Sequence, residues 1–183
     1  MISESSQHTE VTHEQPDHVV DEAFAVAETY RRRFPSADIE GIAAFFSLGL
    51  ALAAATQVSD RFFAGFGYGL NTARYSLLRA LYLSEERQRP LNDIAREMGV
   101  TSQNVTYLLS TLERKGLVGR IASETDRRVF HAHLTPAGEE LCANLLPATL
   151  RFLEELAEPF SREDKKTLTE LLGKLRKHVL NDL

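Results

Sequence analysis

Two short amphipathic segments joined by a glycine-led turn, and followed at once by two β-rich runs, constrain this chain more than any other feature. They occupy residues 90–135. The first, LNDIAREMGV, sets Leu91, Ile94, Ala95 and Met98 on one side of a helix. Gly99 falls where a helix end needs a residue that tolerates a left-handed backbone. Thr101 or Ser102 can cap the next helix with a side-chain oxygen. That second helix places Val105, Leu108, Leu109 and Leu112 on one face, at steps of 3, 1 and 3. Gly116 stops it. Two strands are predicted next, over 117–122 and 128–134, around the polar tip Ser123-Glu124-Thr125-Asp126-Arg127-Arg128. Helix, tight turn, helix and hairpin is the order of a winged helix-turn-helix, whose second helix is shaped to enter a DNA groove.

With 183 residues, 43% of them hydrophobic, the chain is long enough for one domain with appended elements and a sizeable core. A net charge of −5 does not by itself announce a nucleic-acid binder, but the charge is uneven. Residues 96–131 carry six Lys/Arg against four acids, a balance of +2 that leaves −7 for the remainder. An acidic body with a mildly basic reading head still approaches phosphates in the right orientation. The single cysteine, Cys142, excludes an internal disulfide framework and fits a reducing compartment. The first ten residues, MISESSQHTE, lack the basic and apolar regions of a secretory signal. A cytoplasmic protein is expected.

Four regions follow from this pattern. Residues 1–16 read as a polar, disordered tail; His8 and His13 within it and His18 just beyond recur without aligning on one helical face, so a solvated tail is preferred to a metal site. Residues 17–69 read as N-terminal helices for dimerisation and a possible effector pocket. Over 17–34, Val20, Phe24, Ala27 and Tyr30 step at helical spacing, with Arg31-Arg32-Arg33 at the C-terminal end, where cations suit the helix dipole. Pro35 breaks the chain, and Ser36 is expected to cap the following helix. The run GIAAFFSLGLALAAATQVS, 41–59, contains no charge; a membrane span is weighed, but a helix buried on all sides at a subunit interface fits its alanines and polar interruptions better. That helix is expected to reach Phe66, with Gly65, Gly67 and Gly69 turning the chain and Asn71 capping the next helix. Residues 70–135 form the winged helix-turn-helix. Residues 136–183 read as C-terminal dimerisation helices, the first opened by Thr135-Pro136 and bent or interrupted at Pro147, the second capped by Ser161 with the stripe Leu168, Leu171, Leu172, Leu175 and Val179. The apolar surface of these helices exceeds what a reading unit of this size can cover, which argues for a homodimer.

Aromatic rings concentrate between positions 45 and 75. Phe45, Phe46, Phe62, Phe66 and Tyr75, with Arg61 or Arg74 to pair a carboxylate, are candidates for an apolar effector cavity, against the simpler account of helix packing. Arg79 is a third candidate cation for that role. Cys142 has Glu139, Glu140 and Leu141 as neighbours, none of which lowers a thiol pKa, so it reads as structural. His131 and His133 fall on one face of a strand by simple alternation. No Gly-rich phosphate loop, metal-ligand set or nucleophile with a nearby base is found, so neither catalytic residues nor a cofactor are expected.

The run Ile94-Ala95, Met98-Gly99-Val100-Thr101, Val105-Thr106, Leu112-Glu113-Arg114-Lys115-Gly116-Leu117-Val118, Asp126-Arg127-Arg128 and Leu134-Thr135-Pro136-Ala137-Gly138 closely resembles the multiple-antibiotic-resistance regulator (MarR) family. The resemblance is close over roughly 70–145. It implies a mainly α fold with a small β-wing: a homodimer clasped by terminal helices, each subunit presenting one winged helix. It also implies a transcriptional regulator, usually a repressor, released from a pseudo-palindromic operator by a small aromatic or phenolic compound. Carried onto this sequence, the reading face is Ser102, Gln103, Asn104, Thr106, Tyr107 and Ser110. Arg128 resembles the wing-tip arginine that enters the minor groove, with Asp126 holding its guanidinium, and Arg127 and Arg120 become phosphate or minor-groove partners. Two departures stand out: Tyr107 replaces an arginine common in the family, and the helix over 17–34 precedes the family's usual first helix. A winged helix used only for protein contacts is the alternative, since the reading face is polar but nearly uncharged.

Overall fold

The computed structural model describes residues 17–122 and 130–181. The chain divides after Asp60 into two compact units, each described by itself.

The first unit holds α1 (Asp17–Arg33) and most of α2 (Ile39–Ala64). Among the α1 side chains described, 22–33, Ala23 and Ala27 are fully buried, and Ala27 packs with Ile39 and Ala43. Phe24, expected to face inward, is 46% exposed instead. Alanine and phenylalanine satisfy the same helical period here, but only the small side chain allows so close an approach. The cap of α2 also differs from expectation. The Asp38 carboxylate, not Ser36, accepts from the Gly41 N–H at 3.0 Å. The α2 helix ends at Ala64, two residues short of Phe66. It is long and apolar enough to cross a membrane, and only 11% of its most apolar window is covered within the chain. The burial on all sides expected for this helix is thus absent from the single chain.

The second unit is built on α3 (Thr72–Tyr82), β1 (Gln88–Pro90), α4 (Leu91–Met98), α5 (Ser102–Glu113), β2 (Val118–Ala122), β3 (Phe130–Leu134), α6 (Pro136–Leu156) and α7 (Arg162–Asn181). Asn71 caps α3 by accepting from the Arg74 N–H. The hairpin is not two-stranded as expected. A third strand, β1, joins it in the order β1-β3-β2, antiparallel throughout, with Gln88 opposite His133 and Val118 opposite Leu134. One apolar core unites Leu77, Leu78 and Leu81 of α3, Ile94 of α4, Val105, Leu109 and Leu112 of α5, Leu117, Ala132 and Leu145.

Thr135 welds the sheet to α6. Its N–H donates to the Leu117 carbonyl, its hydroxyl donates to the Gly116 carbonyl at 2.6 Å, and the same oxygen caps the Gly138 N–H at 3.1 Å. The α6 helix then runs through Pro147 without interruption and stops before Pro159. Ser161 and Asp164 cap α7 reciprocally: the Ser161 hydroxyl accepts from the Asp164 N–H, and the Asp164 carboxylate accepts from the Ser161 N–H. No residue of α7 is buried, and Leu168, Leu171, Leu172 and Val179 all stand exposed in the single chain.

Gly138 shows why the turn into α6 tolerates no side chain. A Cβ there would stand 2.0 Å from the Leu117 carbonyl oxygen, a backbone atom that cannot swing aside. Gly138→Ala is expected to destabilise the protein by about 1–3 kcal/mol, a fall in Tm of roughly 2–12 °C, readable by thermal unfolding followed by circular dichroism.

Candidate nucleic-acid interface

The interface begins with the turn between α4 and α5. Gly99 adopts φ 66°, and the Val100 N–H returns to the Ala95 carbonyl at 3.0 Å, closing the end of α4. Thr101 then accepts from the Asn104 N–H and starts α5. The four apolar residues of α5 are buried, so rotation of the helix about its axis is fixed by the core. Ser102, Gln103, Asn104, Thr106 and Tyr107 are thereby turned outward, with Ser110 half-buried at the edge. Tyr107 is 66% exposed.

The hydroxyls of Ser102, Thr106 and Ser110 already have hydrogen-bond partners. Ser102 donates to the Asn92 side-chain oxygen at 2.7 Å, Thr106 to the Ser102 carbonyl, and Ser110 to the Thr106 carbonyl. The amides of Gln103 and Asn104 make no side-chain hydrogen bond to any described residue. They remain able to present a donor and an acceptor side by side, the pattern that matches adenine. Asn92 went unnoticed in the sequence. Its position in the first turn of the preceding helix, facing a serine ten residues on, is visible only once the two helices are folded together.

The second shared feature is electrostatic. Glu97 of α4 pairs with Arg79 of α3 at 2.9 Å and with Arg89 of β1. The hydrogen-bonded Arg89 guanidinium, helped by Arg79, holds the Glu97 carboxyl below the usual carboxylate range despite partial burial. One carboxylate therefore ties together a helix, a strand and the first helix of the reading unit. Arg120 on β2 does not point away from the protein as expected of a phosphate partner. Its Nη2 donates to the Ser110 hydroxyl at 2.6 Å and meets the Glu113 carboxylate at 2.9 Å. Asp126, Arg127 and Arg128 lie outside the described residues; the last described pair of the hairpin beneath them is Ala122 opposite Phe130.

The candidate effector residues separate into two groups. Phe45 and Phe46 belong to the first unit and line an open groove of about 470 Å³ with Tyr30, Asp38, Gly41 and Ile42. Phe62, Phe66 and Tyr75 belong to the second unit and are taken up in packing. Phe62 stacks on Phe152 at 4.2 Å and meets Phe66 edge-on, and Tyr75 stacks on Phe63 at 4.3 Å. Arg74 donates to the Gly69 carbonyl at 2.7 Å, Arg79 is held by Glu97, and Arg61 is exposed. On β3, His131 and His133 share one face, opposite buried Ala132 and Leu134. A Cβ on Gly119 would stand 2.5 Å from the His133 ring, so that glycine makes room for the histidine.

Comparison with known proteins bears on this geometry. The model of the MarR family matches residues 68–129. The transcriptional regulator MhqR of Bacillus subtilis is 32% identical over 108 residues, which cover 59% of this chain and 73% of MhqR. The transcriptional repressor YetL of the same species is 28% identical over 149 residues, 81% of this chain and 86% of YetL. Among solved structures, the Streptomyces coelicolor MarR-family regulator Sco3205 in complex with DNA superposes with a TM-score of 0.70 at 22% identity, covering 75% of this chain and 86% of that one. The chain belongs to the MarR family. It is accordingly a non-enzymatic, DNA-binding transcriptional regulator.

This MarR-family chain keeps its cysteine out of that business. Cys142 is fully buried beneath α3, its sulfur 4.0 Å from the Leu78 carbonyl, and burial raises its pKa to about 11. A thiol whose folded pKa is raised from 9.0 contributes stability that is lost as pH rises from 9.0 towards 11. At pH 8 the native protein is expected to resist thiol reagents, and to react at once when unfolded in guanidinium; rapid native-state labelling followed by mass spectrometry would contradict the assignment.

Proposed function

We propose that this regulator works as a homodimer that inserts two α5 helices into successive major grooves and its wings into the flanking minor grooves, repressing transcription until a small aromatic or phenolic compound releases it. The observation that carries the reading is the two-faced α5. Its apolar side is buried, while Gln103, Asn104, Thr106 and Tyr107 stand exposed along the other side. Amides and a hydroxyl in that position suit base edges, and the Tyr107 ring suits thymine methyls. Asp126, Arg127 and Arg128 at the wing supply minor-groove and phosphate contacts in this scheme.

Dimerisation follows from surface the chain leaves uncovered. Leu168, Leu171, Leu172 and Val179 on α7, with Leu50 and Leu52 on α2, form apolar faces that a soluble protein hides against a second copy. Repression agrees with YetL, which is named a repressor. The effector reading is carried by the Phe45 and Phe46 groove and not by Phe62, Phe66 or Tyr75, whose rings are already packed. A cytoplasmic location goes with a DNA target.

Selection of preferred sites from random duplexes is the deciding experiment. The expected result is a pseudo-palindrome with half-sites about one helical turn apart, bound with an affinity that falls steeply as salt rises. Gln103→Ala or Asn104→Ala is expected to reduce discrimination by about 1–3 kcal/mol at one base pair of each half-site; enrichment of no sequence at all would favour a protein-contact module instead. The Leu172→Glu variant tests the dimer separately. Sedimentation should show it as a monomer, with operator binding lost, whereas a wild-type protein that sediments as a monomer would end the paired-helix scheme.

A further inference from the structure

We infer that Arg120 is a positioning residue for DNA reading, latching the first wing strand to the recognition helix so that helix and wing meet the duplex as one rigid part. This role presupposes the groove-reading placement of α5 proposed above. Three acceptors of α5 converge on one guanidinium nitrogen: the Ser110 hydroxyl at 2.6 Å, the Glu113 carboxylate at 2.9 Å and the Thr106 carbonyl at 3.5 Å. Positions 106, 110 and 113 lie on one edge of a helix, a turn apart. Beside that nitrogen, Nε is buried and has no partner among the described residues.

A guanidinium serves a phosphate by offering two N–H groups side by side. In Arg120 the Nη2 of that fork is bonded to α5, its Nε is buried, and Glu113 neutralises its charge. The pair thus brings no net charge to the DNA backbone, and Arg120 drops out of the counterion count. What it adds is orientation. The core fixes α5 from inside through Val105, Leu108, Leu109 and Leu112, and Arg120 grips the same helix from its outer edge, beside Thr106 and Ser110. Its own strand is held by pairing with β3, where Arg120 lies opposite buried Ala132.

The test measures affinity for the selected operator and for a scrambled duplex across a salt series. It uses the full-length wild type, Arg120→Met, Arg120→Lys, Glu113→Gln and Ser110→Ala. Arg120→Met and Glu113→Gln are each expected to lower the ratio of specific to non-specific affinity by about tenfold, while the slope of log K against log salt stays at the wild-type value. Loss of folded protein lowers both affinities together and leaves that ratio unmoved. Arg120→Lys is expected not to restore it, because an ammonium lacks the planar fork. A slope smaller by about one in Arg120→Met, or tighter operator binding by Glu113→Gln, would make Arg120 a phosphate contact and overturn the latch; so would an unchanged ratio. Should Arg120→Met fail to fold, Glu113→Gln, which alters only an acceptor outside the reading face, carries the same comparison. Should the wild type prefer no sequence, the groove-reading role falls, and amide hydrogen exchange over residues 106–112 of the free protein decides the latch alone: faster exchange in the acceptor variants supports it, and unchanged exchange refutes it.

Discussion

The burial of one face of α5 is the constraint from which the remainder of the reading unit follows. Val105, Leu108, Leu109 and Leu112 enter the same core as Leu77, Leu78, Leu81 and Ile94. Fully burying a side chain of this size contributes about 1.5–3 kcal/mol each, so four together rival the net stability of a typical domain, about 5–15 kcal/mol. A helix held this firmly cannot rotate to suit a ligand, and its outward residues are presented whatever they are. The buried side and the proposed reading side therefore occupy opposite faces of twelve residues. Substitutions on the outer face can change what α5 presents without disturbing how the helix is held.

The parts of this arrangement that were legible in the sequence are those encoded within a few residues of one another. Gly99 with φ 66° and Gly116 with φ 71° end their helices where the pattern predicts, and Asn71, Thr101, Thr135 and Ser161 accept the N–H three residues on. A cap joins one side chain to one turn, so the letters narrow the choice to neighbouring residues, although at α2 Asp38 takes the role that the pattern gives to Ser36. The β1 strand is a different matter. Gln88, Arg89 and Pro90 have no strand periodicity of their own, and they are extended only because His131, Ala132 and His133 lie alongside. Phe24 and Ala23 could each have faced inward by helical spacing; the outcome depended on how closely another helix approaches, which no single-helix pattern contains.

Long polar side chains were the least legible elements of the candidate site. Sequence places Arg74, Arg79 and Arg120 near where a ligand or phosphate is wanted, yet each has found an acceptor within its own unit: the Gly69 carbonyl, Glu97 and the Ser110–Glu113 edge. The same holds for the aromatic cluster, where Phe62 and Tyr75 are committed to Phe152 and Phe63. A guanidinium or a ring reaches across about 6–7 Å, so its partner is chosen by packing between elements far apart in the chain. Periodicity identifies the face such a residue leaves from, not where its tip arrives.

These commitments change how the charge of the reading unit should be weighed. Arg79 and Arg89 share Glu97, Arg96 pairs with Asp93, and Arg120 pairs with Glu113. The two one-to-one pairs cancel at the distance of a phosphate, the Arg79–Glu97–Arg89 cluster keeps one positive charge, and salt screens what remains beyond about 10 Å. Among the described residues of the reading unit, Arg74, Arg87, Arg114 and Lys115 make no ion pair; Arg74 is bonded to the Gly69 carbonyl and Arg87 lies over the Tyr82 ring, while Arg114 and Lys115 lie together at the C-terminal end of α5, just before Gly116. On the groove-reading proposal, part of the field that steers this acidic protein onto DNA originates at the corner between helix and hairpin. On the same proposal, a basic corner beside a nearly uncharged reading face separates attraction from discrimination: Arg114 and Lys115 serve the first, Gln103 and Asn104 the second.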